Sequence, residues 1–263
     1  MQSRLTSLIL EKLYTEEENI KFQWNNPDNT KTKHFYIDNL LPNEICMEIF
    51  NKFPKNIKNF KDRNSHRERK KTLTNLKDIN CIVYDISYAI QSHSVVKKIE
   101  KLLNLKNLES DPTLYGSGLS VMFKNDFLNP HIDNSHDRKR KRYRRLNLLY
   151  YVTPNWKSQN GGNFELWDSK LKHKKEITSK FNRLIVMETN KTSWHSVNKV
   201  KVDNLRCCVS SYFFSNQSPD NKNYFHVTSF SGRPDQFFLK LLSPIDNYLR
   251  NAFSKIFMFG RGK

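Results

Sequence analysis

The sequence has few cysteines and no long apolar segment, and both features limit the classes of protein to which it can belong. Its four cysteines form no Cys-x-x-Cys pair, and the adjacent Cys207 and Cys208 would point to opposite faces of a strand. No run approaches the roughly 20 apolar residues that cross a bilayer. The apolar patch from Leu5 to Leu13 continues into three glutamates, unlike a signal peptide. These features exclude a disulfide scaffold and predict a cytoplasmic protein without a transmembrane segment.

Acidic residues are also scarce, with 26 Asp and Glu against 45 Lys and Arg and a net charge of +19. A surplus of this size is typical of nucleic-acid-binding proteins, but it also follows from a composition rich in Lys and Asn along the whole chain. We favour the second interpretation. The 18 Phe, 11 Tyr and 4 Trp provide enough large apolar side chains for a folded core, which excludes a disordered chain.

The first 113 residues have the pattern of a helical segment with one strand. Apolar residues recur at helical spacing over Ser3–Glu18 and Asn43–Phe53, and over Ile82–Leu103 in two pieces. His34–Ile37 has strand character, whereas the polar, basic segment Lys55–Lys71 predicts an exposed loop. We therefore expect this part to support a β-rich domain that follows it.

From Leu114 the sequence changes to short β-rich runs separated by polar turns. The chain has only seven glycines, and the adjacent Gly161 and Gly162 predict a tight turn between two such runs. The runs are Gly118–Phe123, Leu146–Val152, Asn163–Trp167, Leu184–Glu188, Trp194–Val197 and Arg206–Phe214. Short strands at this spacing behind a helical segment predict a mainly β sandwich or barrel with flanking helices. A basic, partly amphipathic helix is expected over Ser243–Phe259.

His131 and Asp133 are two residues apart, which is the spacing at which side chains of one strand face the same way. An imidazole and a carboxylate placed in this way can converge on one metal ion, and a third ligand must come from another strand. His195 lies in a suitable β-rich run. Two histidines and one carboxylate leave three coordination positions open, as Fe(II) oxygen chemistry requires. Taken alone, the pattern is more often that of a loop histidine and a core histidine without a catalytic role.

Arg206 makes the metal interpretation the better one. It lies eleven residues after His195, at the head of an apolar strand. A buried arginine needs an anionic partner that accepts two hydrogen bonds, and a dicarboxylate cosubstrate is such a partner. The alternative is an ordinary ion pair with another residue of the chain.

The segment from Leu114 to Phe214 resembles the prolyl-4-hydroxylase-like branch of the Fe(II)/2-oxoglutarate-dependent oxygenases. The matching segments are Phe127–Asn134, Arg145–Val152, Asn155–Trp156, Gly161–Trp167, Asn182–Val186 and His195–Phe214, with a looser match at Phe35–Asn39. The resemblance implies a double-stranded β-helix, or jelly-roll, core with the metal at its open end. We expect a single domain over residues 1–263, with N-terminal support (1–113), a catalytic core (114–216) and a C-terminal extension (217–263).

The same resemblance implies roles for individual residues. The residues that match the Fe(II) ligands are His131, Asp133 and His195. Arg206 matches the residue that pairs with the far carboxylate of 2-oxoglutarate, and Tyr151 matches a tyrosine that hydrogen-bonds this carboxylate. A core aromatic with another partner is the alternative for Tyr151. Asn147 shares its strand face and is expected to line the cosubstrate pocket, and Tyr212 is at a position where the family has an aromatic near the iron. His136 follows the ligand pair closely, and we expect a structural role for it.

The implied activity is hydroxylation of an unactivated C–H bond by a dioxygenase that uses Fe(II), 2-oxoglutarate and O₂, with ascorbate as a supporting reductant. Candidate substrates are a peptidyl prolyl residue, an amino acid, or an anionic glycan or metabolite. The basic run Asp137–Arg145 follows the ligand pair and either recognises an acidic substrate or forms a solvated loop. The sequence does not indicate the oligomeric state.

A basic nucleic-acid-binding or nucleic-acid-modifying protein is the alternative function. The pattern typical of a nucleic-acid dealkylase has a second arginine six residues after the one that corresponds to Arg206. This chain has Tyr212 at that position. A non-catalytic binder would require the candidate metal ligands to be unrelated to one another. Nucleic acid is therefore the less favoured partner.

Overall fold

A computed structural model describes residues 1–79 and 81–257. The helices are α1 (Gln2–Thr15), α2 (Glu17–Asn25), α3 (Asn43–Lys52), α4 (Ile82–Ala89), α5 (His93–Leu102) and α6 (Phe237–Phe257). The strands are β1 (His34–Asp38), β2 (Lys61–Asn64), β3 (Glu68–Leu73), β4 (Gly118–Met122), β5 (Phe127–Ile132), β6 (Tyr143–Tyr151), β7 (Phe164–Trp167), β8 (Lys174–Ile177), β9 (Arg183–Glu188), β10 (His195–Val197), β11 (Arg206–Ser215) and β12 (Ser229–Phe230). This mainly β architecture with flanking helices confirms the predicted fold class.

The strands form one antiparallel sheet that curls into a half-barrel. The strand order is β1-β9-β6-β11-β4-β3-β5-β10-β7-β8, with β2 paired to β3 and β12 paired to β5. The long strands β6 and β11 pair from Tyr151↔Cys208 to Tyr143↔Ser215. Each β-rich run predicted after Leu114 is a strand of this sheet, and β1, β2 and β3 from the first part of the chain join the same sheet.

The N-terminal helices and the sheet share one apolar core. α1 directs Leu5, Ile9 and Leu13, spaced four residues apart and at most 1% exposed, toward α4 and α5. The same cluster continues into Leu148 and Val209 of the sheet. Burial of each such side chain contributes about 2 kcal/mol to stability. The helices therefore brace the outer side of the strands that hold the site described below.

The prediction of an exposed loop over Lys55–Lys71 is wrong, because this segment contains β2 and the first part of β3. β3 pairs with both β4 and β5 and so bridges two central strands. Only the first and last residues of β3, Glu68 and Leu73, are buried. The strand lacks the apolar alternation by which a sequence reveals a strand, and its pairing partners stabilise it instead.

The predicted C-terminal helix is confirmed as α6, which begins earlier than expected, at Phe237. Its predicted positions 258 and 259, like the rest of the expected extension to residue 263, lie outside the described residues. Over the ranges 1–79 and 81–257, no helix combines the length and the apolar character that crossing a membrane requires.

Candidate active site

The three candidate metal ligands come from two neighbouring strands. His131 lies near the end of β5, and Asp133 directly follows that strand. His195 is the first residue of β10. Because β5 and β10 are antiparallel partners whose register places His195 opposite His131, the three side chains meet at one point. The structure thus brings together the pair and the distant third residue, as the sequence predicts.

The cluster of His131, Asp133 and His195 is compact and buried. The Nε2 atom of His131 lies 3.6 Å from Oδ1 of Asp133, and the Nε2 atom of His195 lies 3.6 Å from Oδ2 of the same carboxylate. The candidate ligand atoms all lie within 4.8 Å of one another, and the three residues are at most 8% exposed. No second group of this kind occurs in the described part of the chain.

Hydrogen bonds on the far nitrogen orient both imidazoles. The Nδ1 atom of His131 lies 3.0 Å from the carbonyl oxygen of Asn129, and the Nδ1 atom of His195 lies 3.0 Å from that of Ser193. Since a carbonyl oxygen only accepts, each Nδ1 holds the proton and each Nε2 presents a lone pair. Burial lowers the pKa of His131 to about 3 and also lowers the pKa of His195. Both rings are neutral at physiological pH, as a metal ligand requires.

The carboxylate of Asp133 has two further polar neighbours. The amide nitrogen of Asn147 donates to Oδ2 at 3.3 Å, and a guanidinium nitrogen of Arg144 lies 3.7 Å from Oδ1. Burial acts to raise the pKa of Asp133, but its basic neighbours, His195 first among them, outweigh burial and lower the pKa to about 2. The carboxylate is therefore ionised. Asn147 contacts this carboxylate and also lines the small cavity that Arg206 lines.

Arg206, the first residue of β11, is buried among neutral partners. Its guanidinium donates to the hydroxyl of Tyr151 at 3.0 Å and to the hydroxyl of Ser179 at 3.2 Å, and it contacts the sulfur of Met122 at 3.3 Å. Within the described residues no carboxylate pairs with it. The ordinary ion pair that the sequence left open is therefore not formed. A buried guanidinium without an anion is costly, and an acidic ligand in the adjoining cavity would satisfy it.

The predicted glycine turn makes room for Arg206. Gly162 has a φ of +64°, and a Cβ atom at this position would lie 2.6 Å from Cδ of Arg206. Gly161 has a φ of +69°, and its Cβ atom would lie 2.0 Å from the carbonyl oxygen of Lys199. Only glycine combines these backbone angles with such close approach. The turn predicted from the sequence is confirmed, and its two glycines allow the loop before β7 to pack on the arginine stem.

Aromatic rings enclose the ligand cluster. Phe230 stacks on His131 with ring centroids 5.3 Å apart, and the ring of Phe164 lies 5.7 Å from that of His195. Tyr212 lines the same cavity as the three candidate ligands. The contribution of Phe230 was not predicted, because it belongs to the two-residue strand β12 and reaches His131 only through pairing of β12 with β5. Such a short strand leaves no pattern in the sequence.

A second, wider cavity of about 350 Å³ has His131 and Asp133 in its wall. Its basic lining residues are Lys61, Arg63, Lys70, Arg138 and Arg144. Its acidic lining residues are Glu68 and Asp133. Of these, Glu68 lies 3.4 Å from Lys70 and is partly neutralised by it. The surplus of cations gives this mouth of the site a positive potential that attracts anions.

The basic run Asp137–Arg145 contributes both to the fold and to the mouth. Asp137 accepts a hydrogen bond from Nε of Arg142 at 2.9 Å, which closes a turn within the run. Arg144 and Arg145 belong to β6 and are 2% and 7% exposed, so these two residues are part of the sheet and not of a solvated loop. Arg138, by contrast, is exposed at the mouth.

His136 is not a member of the ligand cluster. Its Nδ1 atom lies 2.7 Å from the hydroxyl of Ser135, and its ring packs against Tyr143 with centroids 4.3 Å apart. These contacts connect the turn after β5 to the start of β6. They agree with the structural role that the sequence predicts.

Comparison with known proteins agrees with this geometry. The sequence profile of the 2OG-Fe(II) oxygenase superfamily matches residues 117–214. A prolyl hydroxylase from Trichoplax adhaerens, in complex with a hypoxia inducible factor oxygen degradation domain peptide fragment, has a similar fold. Its TM-score is 0.55 at 17% identity, over 77% of this chain and 92% of that chain. No curated protein sequence matches the chain significantly.

Two further solved structures are similar to this chain. A prolyl-4-hydroxylase from Pseudomonas putida has a TM-score of 0.56 at 11% identity, over 74% of this chain and 98% of that chain. HygX from Streptomyces hygroscopicus, with nickel and 2-oxoglutarate bound, has a TM-score of 0.50 at 12% identity, over 82% of this chain and 95% of that chain. At these identities the likeness shows the fold alone, which is the double-stranded β-helix that the sequence predicts.

The half-barrel is a jelly-roll fold that holds a buried His-Asp-His cluster. The profile match over residues 117–214, together with the fold, identifies a 2-oxoglutarate-dependent dioxygenase whose cofactors are Fe(II) and 2-oxoglutarate. Its fold also agrees with the prolyl-4-hydroxylase-like branch that the sequence indicates.

Proposed function

We propose that His131, Asp133 and His195 bind Fe(II), that Arg206 binds the distal carboxylate of 2-oxoglutarate, and that the enzyme hydroxylates a C–H bond of an anionic substrate. The supporting observation is one buried cavity lined both by the ligand cluster and by Arg206, a guanidinium without an acidic partner in the described structure. Two neutral imidazoles and one carboxylate fit an open Fe(II) site. A dicarboxylate fits the guanidinium.

The chain supplies position and charge for this reaction. When bound, Fe(II) and 2-oxoglutarate supply the oxidation, with O₂ as oxidant and with succinate and CO₂ as co-products. Asn147 holds the carboxylate of Asp133 in place by its hydrogen bond. Tyr151 and Arg206 form the polar end of the cosubstrate pocket. Phe230 covers one face of His131 and keeps water from that side of the site.

A Tyr151→Phe variant is expected to need about tenfold more 2-oxoglutarate for half-maximal turnover, because a hydrogen bond to a charged group contributes about 1.5 to 3 kcal/mol. Its kcat is expected to stay within about twofold of the native value, since the hydroxyl binds the unreactive end of the cosubstrate. Succinate formation at varied 2-oxoglutarate measures both constants.

The matched control is Tyr150→Phe. Tyr150 is the neighbouring buried tyrosine, but its hydroxyl donates to Asn182 at 2.9 Å and it belongs to the core shared with the helices. We expect this variant to lose stability and to retain the native requirement for 2-oxoglutarate. Equal effects of the two substitutions on that requirement would contradict the assignment of Tyr151.

The charge of the mouth supports an anionic substrate. An acidic peptide with a prolyl residue, an anionic amino acid, and an anionic glycan or metabolite all meet this requirement. One protein of similar fold binds a peptide fragment, which agrees with the first of these. A panel of anionic compounds and neutral analogues, tested for substrate-stimulated succinate release, identifies the class directly.

The double variant Lys61→Glu/Arg138→Glu is expected to raise the KM of the stimulating anion about tenfold or more, since reversing two charges replaces attraction by repulsion. Both residues are exposed at the mouth and outside the ligand cluster, so turnover without substrate is expected to persist. Lys58→Glu/Lys101→Glu is the control with the same change of net charge at two exposed lysines that do not line the cavity. The proposal of an anionic substrate would be disproved if a neutral compound stimulated succinate release most strongly and its KM were the same in Lys61→Glu/Arg138→Glu as in the native enzyme.

A non-catalytic nucleic-acid-binding protein is not supported. That alternative requires His131, Asp133 and His195 to be unrelated, whereas their candidate ligand atoms all lie within 4.8 Å of one another. Nucleotides remain in the substrate panel as one kind of anion. Cys46, Cys81, Cys207 and Cys208 are all unpaired thiols, and this supports a reducing, cytoplasmic location for the enzyme.

A further inference from the structure

Helix α6 turns its polar side toward the protein and its apolar side toward solvent. On the inner side, the amide of Asn247 donates to the carbonyl oxygen of Phe230 at 2.8 Å and accepts from the backbone N–H of Phe230 at 2.9 Å. Asn251 accepts from the backbone N–H of Val227 at 2.9 Å. These bonds fix the rotation of the helix about its own axis, so the outward direction of the opposite face is specified by the fold.

Charged and hydroxyl groups extend this inner contact along the helix. Arg67 donates to the carboxylate of Asp246 at 2.5 Å. Arg140 donates to the hydroxyl of Ser254 at 3.0 Å. A surface helix of a globular protein normally packs its apolar side on the core and shows its polar side to water. α6 has the reverse arrangement.

The outer face is a continuous row of large apolar side chains. Each of these side chains has more than half of its surface exposed. They are Phe237, Phe238, Leu241, Leu242, Ile245, Tyr248, Leu249, Phe253, Ile256 and Phe257. Intervals of three and four residues, as in the series 238, 241, 245 and 248, align them along a helix roughly 31 Å long. Single exposed apolar residues are ordinary, whereas a contiguous patch of this extent marks a binding surface.

The charge and the composition of the chain indicate what covers this face. With a net charge of +19, two copies of the chain repel each other, whereas an anionic surface attracts either one. Half of the exposed apolar side chains on α6 are aromatic, a composition favoured at the boundary between lipid headgroups and acyl chains. Lys240 and Lys255 extend from the same helix, and basic residues beside an apolar face are typical of helices that lie on anionic membranes.

We propose that α6 docks the enzyme on an anionic lipid surface, with the helix lying in the plane of the headgroups and its apolar row inserted. This proposal is independent of the reaction that the site performs. The helix lies beside the mouth of the active site, because the cavity beneath it is lined by Ser254 of α6 and also by Asn134 and Arg138, two residues of the mouth. Docking therefore places the mouth close to the lipid surface.

Flotation with vesicles tests the docking proposal. The full-length protein is mixed with vesicles of phosphatidylcholine alone or of phosphatidylcholine with phosphatidylserine, and the bound fraction is measured at low and high salt. We expect binding to the anionic vesicles, weakened by salt. The double variant Leu241→Glu/Ile245→Glu is expected to lose at least about tenfold in affinity, because it removes two inserted side chains.

The double variant Phe22→Glu/Met47→Glu is the matched control. It replaces two exposed apolar residues by glutamate elsewhere on the surface and changes the net charge equally, so its vesicle binding is expected to stay close to native. Circular dichroism and thermal unfolding establish that both variants fold. Absence of flotation with anionic vesicles, or an equal loss in both variants, would overturn the proposal. A dimer that Leu241→Glu/Ile245→Glu converts to a monomer, without vesicle binding, would assign the face to a second copy instead.

Discussion

Asp133→Asn and His131→Gln variants are each expected to lose at least about 100-fold in 2-oxoglutarate-dependent succinate formation. Each substitution removes one of three donors from a buried cluster that has no spare ligand in the described residues. Removing a residue that only hydrogen-bonds to a metal ligand already lowers metal affinity or activity by about 10- to 100-fold, and removing the ligand itself lowers them further. Anaerobic addition of Fe(II) and 2-oxoglutarate, with the visible charge-transfer absorption as the readout, separates loss of binding from loss of turnover.

His34→Gln is the matched control for the histidine substitution. His34 is 1% exposed, and its Nδ1 atom also lies close to a carbonyl oxygen two residues earlier, at 2.8 Å from that of Thr32. It belongs to β1 and is not a member of the cluster. We expect this variant to keep the absorption and the turnover of the native enzyme. Native Fe(II) binding and native turnover in His131→Gln would show that His131 is not a ligand.

An Arg206→Gln variant is expected to raise the KM for 2-oxoglutarate by about 100-fold, because loss of one partner of a buried charge pair costs about 2 to 5 kcal/mol. Its Fe(II) affinity without cosubstrate is expected to stay within about threefold of native, since Arg206 holds none of the metal donors. Kinetics at varied 2-oxoglutarate, together with Fe(II) titration in its absence, distinguish the two effects.

Arg183→Gln is the control for loss of a guanidinium from the same sheet. Arg183 donates to both carboxylate oxygens of Asp38, at 2.6 and 2.9 Å, so its charge is satisfied within the fold. We expect this variant to keep the native KM for 2-oxoglutarate. If the KM is also unchanged in Arg206→Gln, Arg206 does not bind the carboxylate of 2-oxoglutarate. The Asp133→Asn variant tests the metal assignment separately.

The metal cluster could be predicted from the sequence because strand geometry is local and regular. A spacing of two residues places His131 and Asp133 on one face, and this holds wherever the strand lies in the sheet. The sequence could not give the register that sets His195 opposite His131, since pairing depends on the whole sheet. The resemblance to a known family supplied that third position.

Other parts of the site depend on contacts that leave no periodic pattern. Lys70 reaches the mouth from β3, whose charged residues resemble those of an exposed loop. Arg144 is buried although it lies in a basic run, because β6 is a central strand and the ring of Tyr212 lies 3.6 Å from its guanidinium carbon. In both cases tertiary pairing overrides what the composition indicates, and only coordinates show the direction of the side chain.

Strand β12 pairs with β5, the strand that carries His131, although the two strands lie about 100 residues apart in the sequence. Phe230 pairs with His131, and three residues later Arg233 donates at 2.7 Å to Glu165, whose carboxylate is wholly internal. Both residues lie beyond position 214, where the family profile ends. A truncated protein that stops there would lack the cover over one imidazole and would leave the buried carboxylate of Glu165 with Lys174 as its remaining basic partner. Expression boundaries for this oxygenase therefore have to be chosen from the folded neighbourhood of β5, well past the limits that homology marks.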